Sequence, residues 1–259
     1  MILRRVIAHF KKQEWTAIAL DFLIVVVGVF VGLQVNNWNE SRAMNARATG
    51  YLQRIHDDLG IDILNYGSEL IFRQTVAEEG ILALSAESSN GNRKADWRLL
   101  RAFFNASQMS GRPNIDTTYA ELTSSGELAL IANEDLRAGL SRYYTLAGSN
   151  PALLGVPAYR ETVRGMIPAT IQQVLWRECY RADGDAFQEF IACEPAVDAN
   201  LVSKAVERMT TSERLHDELN YWISTQEVAA LVLEGRRDQA QLLQSIIASE
   251  LSGNNLEKQ

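Results

Sequence analysis

The residues best suited to acid–base or metal chemistry are three histidines, His9, His56 and His216. Glu213-Arg214-Leu215-His216 has the i, i+3 Glu-x-x-His spacing that places two ligands on one helix face in di-metal helical bundles. Such a site needs a second pair and two further glutamates, and this sequence has one pair. Glu213/His216 and His56-Asp57-Asp58 are therefore expected to be solvated polar faces. Asp183-Gly184-Asp185 matches a fragment of a calcium loop without its remaining ligand positions. No G-x-S-x-G elbow, phosphate-cradling glycine loop or zinc-protease helix occurs. The residues thus imply no metal, no cofactor and no enzymatic activity.

Cys179 and Cys193 are the two cysteines, enclosing Tyr180 to Ala192. They form no C-x-x-C and have no histidine nearby, which argues against a metal or redox role. Outside the cytoplasm they predict a disulfide, which for a loop of about 15 residues contributes roughly 3 kcal/mol in the chain-entropy model. Among the 20 arginines, Arg137, Arg142, Arg160 and Arg164 allow two readings: the lining of an anionic-ligand cleft, or partners for the surplus carboxylates. Ion pairing is the expectation.

These groups depend on an element near the start of the chain. Thr16 to Val35 is an apolar run with no polar side chain from Phe22 to Leu33. Twenty helical residues span about 30 Å, the hydrocarbon thickness of a bilayer. Its many valines would favour a strand in water, but a lone strand in lipid leaves its backbone unpaired, so a transmembrane helix is predicted. Trp15 and Trp38 bracket the run, about 34 Å apart along a helix, where interfacial aromatic rings sit. The run exceeds the length of a cleaved signal and no small-x-small site follows promptly, so it reads as an uncleaved signal anchor. Arg4, Arg5, Lys11 and Lys12 precede it, and Arg42 and Arg47 are the nearest cations after it. That bias predicts a cytoplasmic N-terminus and an extracytoplasmic body. Gly28 and Gly32 form a small-xxx-small pair suited to helix dimerisation. Asp21 lies about 7 Å inside the run, shallow enough to reach the headgroups or pair with Lys11, Lys12 or a partner helix.

The stretch Asp21 to Glu40, with Gly28, Leu33-Gln34 and Asn36-Asn37-Trp38-Asn39-Glu40, resembles the opening of a bacterial domain-of-unknown-function family. Its members are N-terminally anchored single-pass membrane proteins with an Asn-Asn-Trp-Asn juxtamembrane motif. That family has Gly-Glu where this chain has Leu20-Asp21, and Ala where it has Gly32. Thr118-Tyr119, Glu121-Leu122, Ser124-Ser125-Gly126, Leu136-Arg137 and Tyr143-Tyr144 are similar to the family's mid-domain motif of two helices around a Ser-Ser-Gly turn. The resemblance implies a mainly helical extracytoplasmic body at the bacterial inner membrane, and carries no catalytic residues.

The rest of the sequence agrees with that architecture. The 259 residues carry a net charge of −7. Arg4, Arg5, Lys11 and Lys12 outnumber Glu14 and Asp21 by two in the first 38 residues, so the remainder carries −9. A body of that sign argues against nucleic-acid binding and against lying on anionic lipid. Leu52, Ile55, Leu59, Ile63, Tyr66 and Leu70 form a helical stripe. Helices are expected over about 95–109, 117–124, 127–132, 134–147, 166–181 and 196–209. A long final helix is expected after a Thr210/Glu213 capping box. No strand is expected. The chain divides into a basic cytoplasmic arm (1–15), a membrane helix (16–35), an extracytoplasmic domain (36–252) and a flexible tail (253–259). The expected fold is all-α, one transmembrane helix continuing into an antiparallel helical bundle. Its expected role is non-enzymatic, with the bilayer, an envelope protein or a second copy as partners; the alternative is a ligand-sensing domain working through a separate signalling protein.

Overall fold

The computed structural model describes residues 15–85, 93–146, 153, 155–183, 187–194 and 197–256. They fall into two compact units, Met1–Tyr51 and Leu52–Gln259. Eight α-helices occur among the described residues: α1 (Trp15–Ser85), α2 (Arg93–Ala106), α3 (Thr117–Ser124), α4 (Glu134–Leu146), α5 (Ala158–Met166), α6 (Ala169–Glu178), α7 (Ala199–Thr210) and α8 (Glu213–Leu256). A 3-10 turn, Glu127–Leu130, follows α3. The all-α class is thus correct, with one addition: β1 (Tyr180–Asp183) and β2 (Phe187–Phe190) form an antiparallel hairpin that pairs Tyr180 with Phe190. Strands of four residues are too short for their alternation to stand out.

In the first unit the described residues are helical, and the apolar side chains from Leu20 to Val35 are exposed.

The second unit is built on residues 52–85 of α1. Its inward positions are Leu52, Ile55, Leu59, Asp62, Tyr66, Glu69, Arg73, Val76, Gly80 and Ala83. They recur at strict alternating spacings of three and four, the period of a helix packed along its length. Asp62 replaces the expected Ile63 in this seam, and four consecutive inward positions are polar or charged. Above them, Phe72, Val76 and Ala83 join Phe103 and Phe104 of α2, Tyr159 and Val163 of α5, and Leu219 and Trp222 of α8 in one core. A Cβ built on Gly80 lies 2.9 Å from Cγ1 of Ile223, so only glycine allows that approach. At other levels Gln244 Nε2 donates to the His56 carbonyl (3.1 Å), and Arg73 Nη1 to Oε1 of Gln226 (3.2 Å).

Helix ends follow their capping chemistry. Asn133 Oδ1 accepts from the amide of Leu136 (3.0 Å), as its position before Glu134 and Asp135 predicts. Gly126 takes the left-handed φ of 73° at the turn after α3. The α8 cap is Ser212, whose Oγ accepts from the amide of Leu215 (3.3 Å). Thr210 closes α7, its hydroxyl turned back to the Val206 carbonyl (3.0 Å), so the expected capping box is not used. The helix expected over 166–181 is shorter, Ala169–Glu178, because Pro168 cannot supply the amide a helix running through it needs and β1 begins at Tyr180; α5, which ends at Met166, is a helix the sequence reading did not expect. Gln172 bridges the break, donating from Nε2 to the Arg164 and Ile167 carbonyls (2.8 Å each). The tail expected from 253 instead continues as helix to Leu256.

Candidate functional site

Three features of the chain go beyond ordinary core packing. The first is the apolar stretch of α1. Twelve large apolar side chains between Leu20 and Val35 are 46–70% exposed. By length and composition this helix is long and apolar enough to cross a membrane. Transfer of such side chains out of water contributes about 1.5–3 kcal/mol each, so together they drive burial strongly. Around the helix, Gly28 and Gly32 have open space where a side chain would stand. Trp38 is exposed, with the Arg42 guanidinium 5.8 Å from its ring centroid. Trp15 and Asp21 lie in α1, but their side chains fall outside the described residues.

The second feature is the polar stretch of the α1 seam. Asp62, 1% exposed, accepts from the Tyr143 hydroxyl (2.6 Å) and Asn114 Nδ2 (3.2 Å) at Oδ2, and from the Ile115 amide (3.0 Å) at Oδ1. Asn114 Nδ2 also donates to the hydroxyls of Tyr66 and Tyr143. Burial holds the Asp62 carboxyl above its ordinary value of 3.8; the hydrogen bonds from Tyr143, Ile115 and Asn114 oppose this, and the Asp58 charge adds to it. Burial also raises the hydroxyls of Tyr66, Tyr143 and Tyr144, and the neighbouring Asp62 charge adds to this in each. Tyr144 stacks on Tyr119 with ring centroids 4.5 Å apart, which joins α3 to α4.

About two and three turns further along α1, Glu69 and Arg73 form an ion pair (Nη2–Oε1 2.7 Å) with 4% and 2% of their side chains exposed. Arg73 Nη2 also donates to the carbonyls of Ser110 (2.7 Å) and Leu153 (3.2 Å). One guanidinium thus ties α1 to α8, to the segment after α2 and to Leu153. A small cavity of about 120 Å³ adjoins it, lined by Arg73, Gln74, Gln226, Glu227 and Glu234 among others. A larger, open cavity of about 350 Å³ lies between Ile71 and Phe72 of α1, Arg112, and Gln188 to Phe190 of β2. Asp62 lines neither.

The third feature is at the C-terminal end of α2. Carbonyls that the helix end leaves without an intrahelical partner are taken up by side chains: Tyr159 Oη donates to Phe103 O (2.8 Å), Trp222 Nε1 to Ala106 O (2.8 Å) and Arg160 Nη1 to Ser107 O (2.5 Å). Arg164 donates to Oγ of Ser107 (3.2 Å) and Oε1 of Gln108 (3.0 Å). Its guanidinium carbon stands 5.2 Å from the Phe104 ring centroid and 5.0 Å from that of Trp176. Burial pushes both guanidiniums below their usual range, and with repulsion from Arg160 brings Arg164 down to about 10.

The remaining predicted residues are dispersed. Cys179 and Cys193 stand at disulfide-bonding distance, Cα atoms 5.3 Å apart, at the base of the hairpin. The amide of Ile191 donates to Cys179 O (2.9 Å), and Trp97 Nε1 to Cys193 O (2.8 Å). His216 is half-buried, its ring stacked at 6.4 Å from Phe103, while Glu213 is exposed. No group of three potential metal ligands occurs among the described residues. Asp185 lies outside the described residues. Arg137 pairs with Glu134 (3.4 Å), as expected of the arginines; Arg160 and Arg164 have no carboxylate partner among the described residues. Sequence reasoning missed Asp62, Asn114, Glu69 and Arg73. The signal for three of them was their place in the three–four seam. Neither family models, nor curated proteins, nor solved structures provide a match to this chain.

Proposed function

We propose that this chain is a single-pass protein of a bacterial inner membrane. Its N-terminus is cytoplasmic, and its helical body is an extracytoplasmic, non-enzymatic module that engages an envelope protein or a second copy of itself. The observation that carries this reading is the uncovered apolar side chains of α1 from Leu20 to Val35. In water they are an aggregation liability; in lipid they are an anchor. Gly28 and Gly32, with free space around them, suit self-association through that helix.

The body fits an antiparallel bundle. His56 meets Gln244, Arg73 meets Gln226, and Gly80 faces Ile223, so numbering rises along α1 as it falls along α8. Asn133 donates to Glu250 (2.6 Å) and Arg236 to the Leu146 carbonyl (2.7 Å), the same sense for α4 and α8. The Cys179/Cys193 geometry suits an oxidising compartment. The family resemblance described above is of a piece with this reading.

Crosslinking of the full chain in native membranes tests it. Recovery of a dimer or of one reproducible envelope partner is expected, with the dimer weakened by Gly28→Leu/Gly32→Leu if the anchor helices form it. Recovery of monomer alone at saturating crosslinker contradicts the interaction role.

A further inference from the structure

We infer that Arg160 and Arg164 form a binding site for a phosphate-type oxyanion, free or at the end of a larger molecule. This is a ligand-binding capacity that the anchored-interaction reading does not require. The two guanidiniums project from consecutive turns of α5, and their positions are fixed by neutral groups. Ser107 and Gln108, which receive their hydrogen bonds, are 0% and 2% exposed. Phe104 and Trp176 flank the Arg164 plane. Three donor nitrogens remain: Nε and Nη2 of Arg160 and Nη1 of Arg164 have no partner among the described residues, and none is among the buried orphaned atoms. They therefore face solvent.

Charge bookkeeping favours an anion there. Several arginines elsewhere are neutralised by carboxylates, as in Arg54–Glu121, Arg98–Glu79 and Arg214–Glu218. At this site the only compensation among the described residues is the C-terminal end of α2, worth about half an elementary charge. Two full charges against half of one leave the site positive, within a sequence whose residues 39–259 carry −9. Burial lowers the pKa of both half-buried guanidiniums, and repulsion from Arg160 lowers that of Arg164 further. A dianion relieves both costs, and guanidinium forks match phosphate oxygens in geometry. Arg208, which donates to the Met166 carbonyl at the end of α5 (3.4 Å), adds positive potential nearby.

The test uses the full chain in neutral detergent, titrated calorimetrically with inorganic phosphate in chloride buffer at constant ionic strength. Saturable binding with a Kd on the order of 1 mM or tighter is expected. Arg160→Lys and Arg164→Lys keep the charge and remove the fork, and each should weaken binding about tenfold. Arg177→Gln, on an exposed arginine of α6, should leave it unchanged. A second arm measures capture of the chain, held in phosphatidylcholine nanodiscs, by vesicles containing phosphatidic acid. Arginine-dependent capture without inorganic phosphate binding identifies a lipid headgroup as the source; inorganic phosphate binding identifies a free or soluble oxyanion. Absence of binding in both arms overturns the site. So does binding that both lysine variants retain at full strength, or that Arg177→Gln weakens equally.

Discussion

Replacing Arg73 with methionine removes the most heavily committed side chain of the α1 seam. The arginine is 2% exposed and gives hydrogen bonds to Glu69, Gln226, Ser110 and Leu153. Methionine fills much of the same volume, so the cost comes from charge rather than from a cavity. Glu69, 4% exposed, would be left as a buried carboxylate without its cation, a situation that costs about 3–5 kcal/mol. Against a total stability on the order of 5–15 kcal/mol this is a large fraction. At about 2–4 °C per kcal/mol for a domain of this size, the midpoint should fall by roughly 6–20 °C. Glu69→Leu/Arg73→Met removes both charges together and should recover at least about 2 kcal/mol relative to Arg73→Met, since a buried pair replaced by apolar residues is often near neutral. Urea unfolding of the full chain in neutral detergent, followed by the fluorescence of the buried Trp97 and Trp222, measures all three proteins. A loss below about 1 kcal/mol for Arg73→Met, or a double variant no more stable than the single, would refute a desolvated ion pair at this position.

Three other outcomes follow from the same geometry. The Asp62 carboxyl has a folded pKa raised above its ordinary 3.8, so its protonated form is favoured in the folded state. Its contribution is complete below the unfolded value and lost as pH rises through the folded one. The stability difference between the native chain and Asp62→Asn should therefore shift toward the variant as pH rises above the ordinary value of 3.8, which urea midpoints of both proteins will show; a shift in the opposite sense contradicts burial as the cause. Reduction of Cys179–Cys193, a pair 14 residues apart in sequence, should lower stability by about 3 kcal/mol in thermal melts with and without reductant. Gly80→Ala gains up to about 1 kcal/mol of helix propensity but drives a methyl against Ile223, costing about 1–3 kcal/mol. At Gly67, where nothing lies within 4 Å, the same change should stabilise, so melting both variants separates propensity from packing.

The sequence made visible what depends on local pattern. The apolar run of α1, the Thr117–Ser124 helix, the turn at Gly126 and the Asn133 cap all follow from residues near one another in the chain. The α1 seam shows where such a reading fails. Following apolar residues alone led from Leu59 to Ile63, although the three–four period places Asp62 inward. A carboxylate on an apolar stripe looks like an interruption until Tyr143 and Asn114, far away in sequence, come to meet it. Glu69 and Arg73 were hidden for the same reason. Thr210/Glu213 satisfies the capping-box spacing, yet a neighbour two residues on, Ser212, holds the cap, because the rule names residue types and not the register at which α7 ends. The pairing of arginines with carboxylates held for Arg137 and not for Arg160 and Arg164, whose partners are backbone and amide groups delivered by the end of α2.

The proposed anchor requires lipid to cover the exposed apolar side chains of α1 from Leu20 to Val35. Alkaline carbonate extraction of membranes carrying the full chain tests this directly. The protein should remain in the pellet after ultracentrifugation and enter the supernatant only when detergent is added. Release by carbonate alone, without detergent, would contradict the membrane anchor and the orientation, partner and compartment inferred from it.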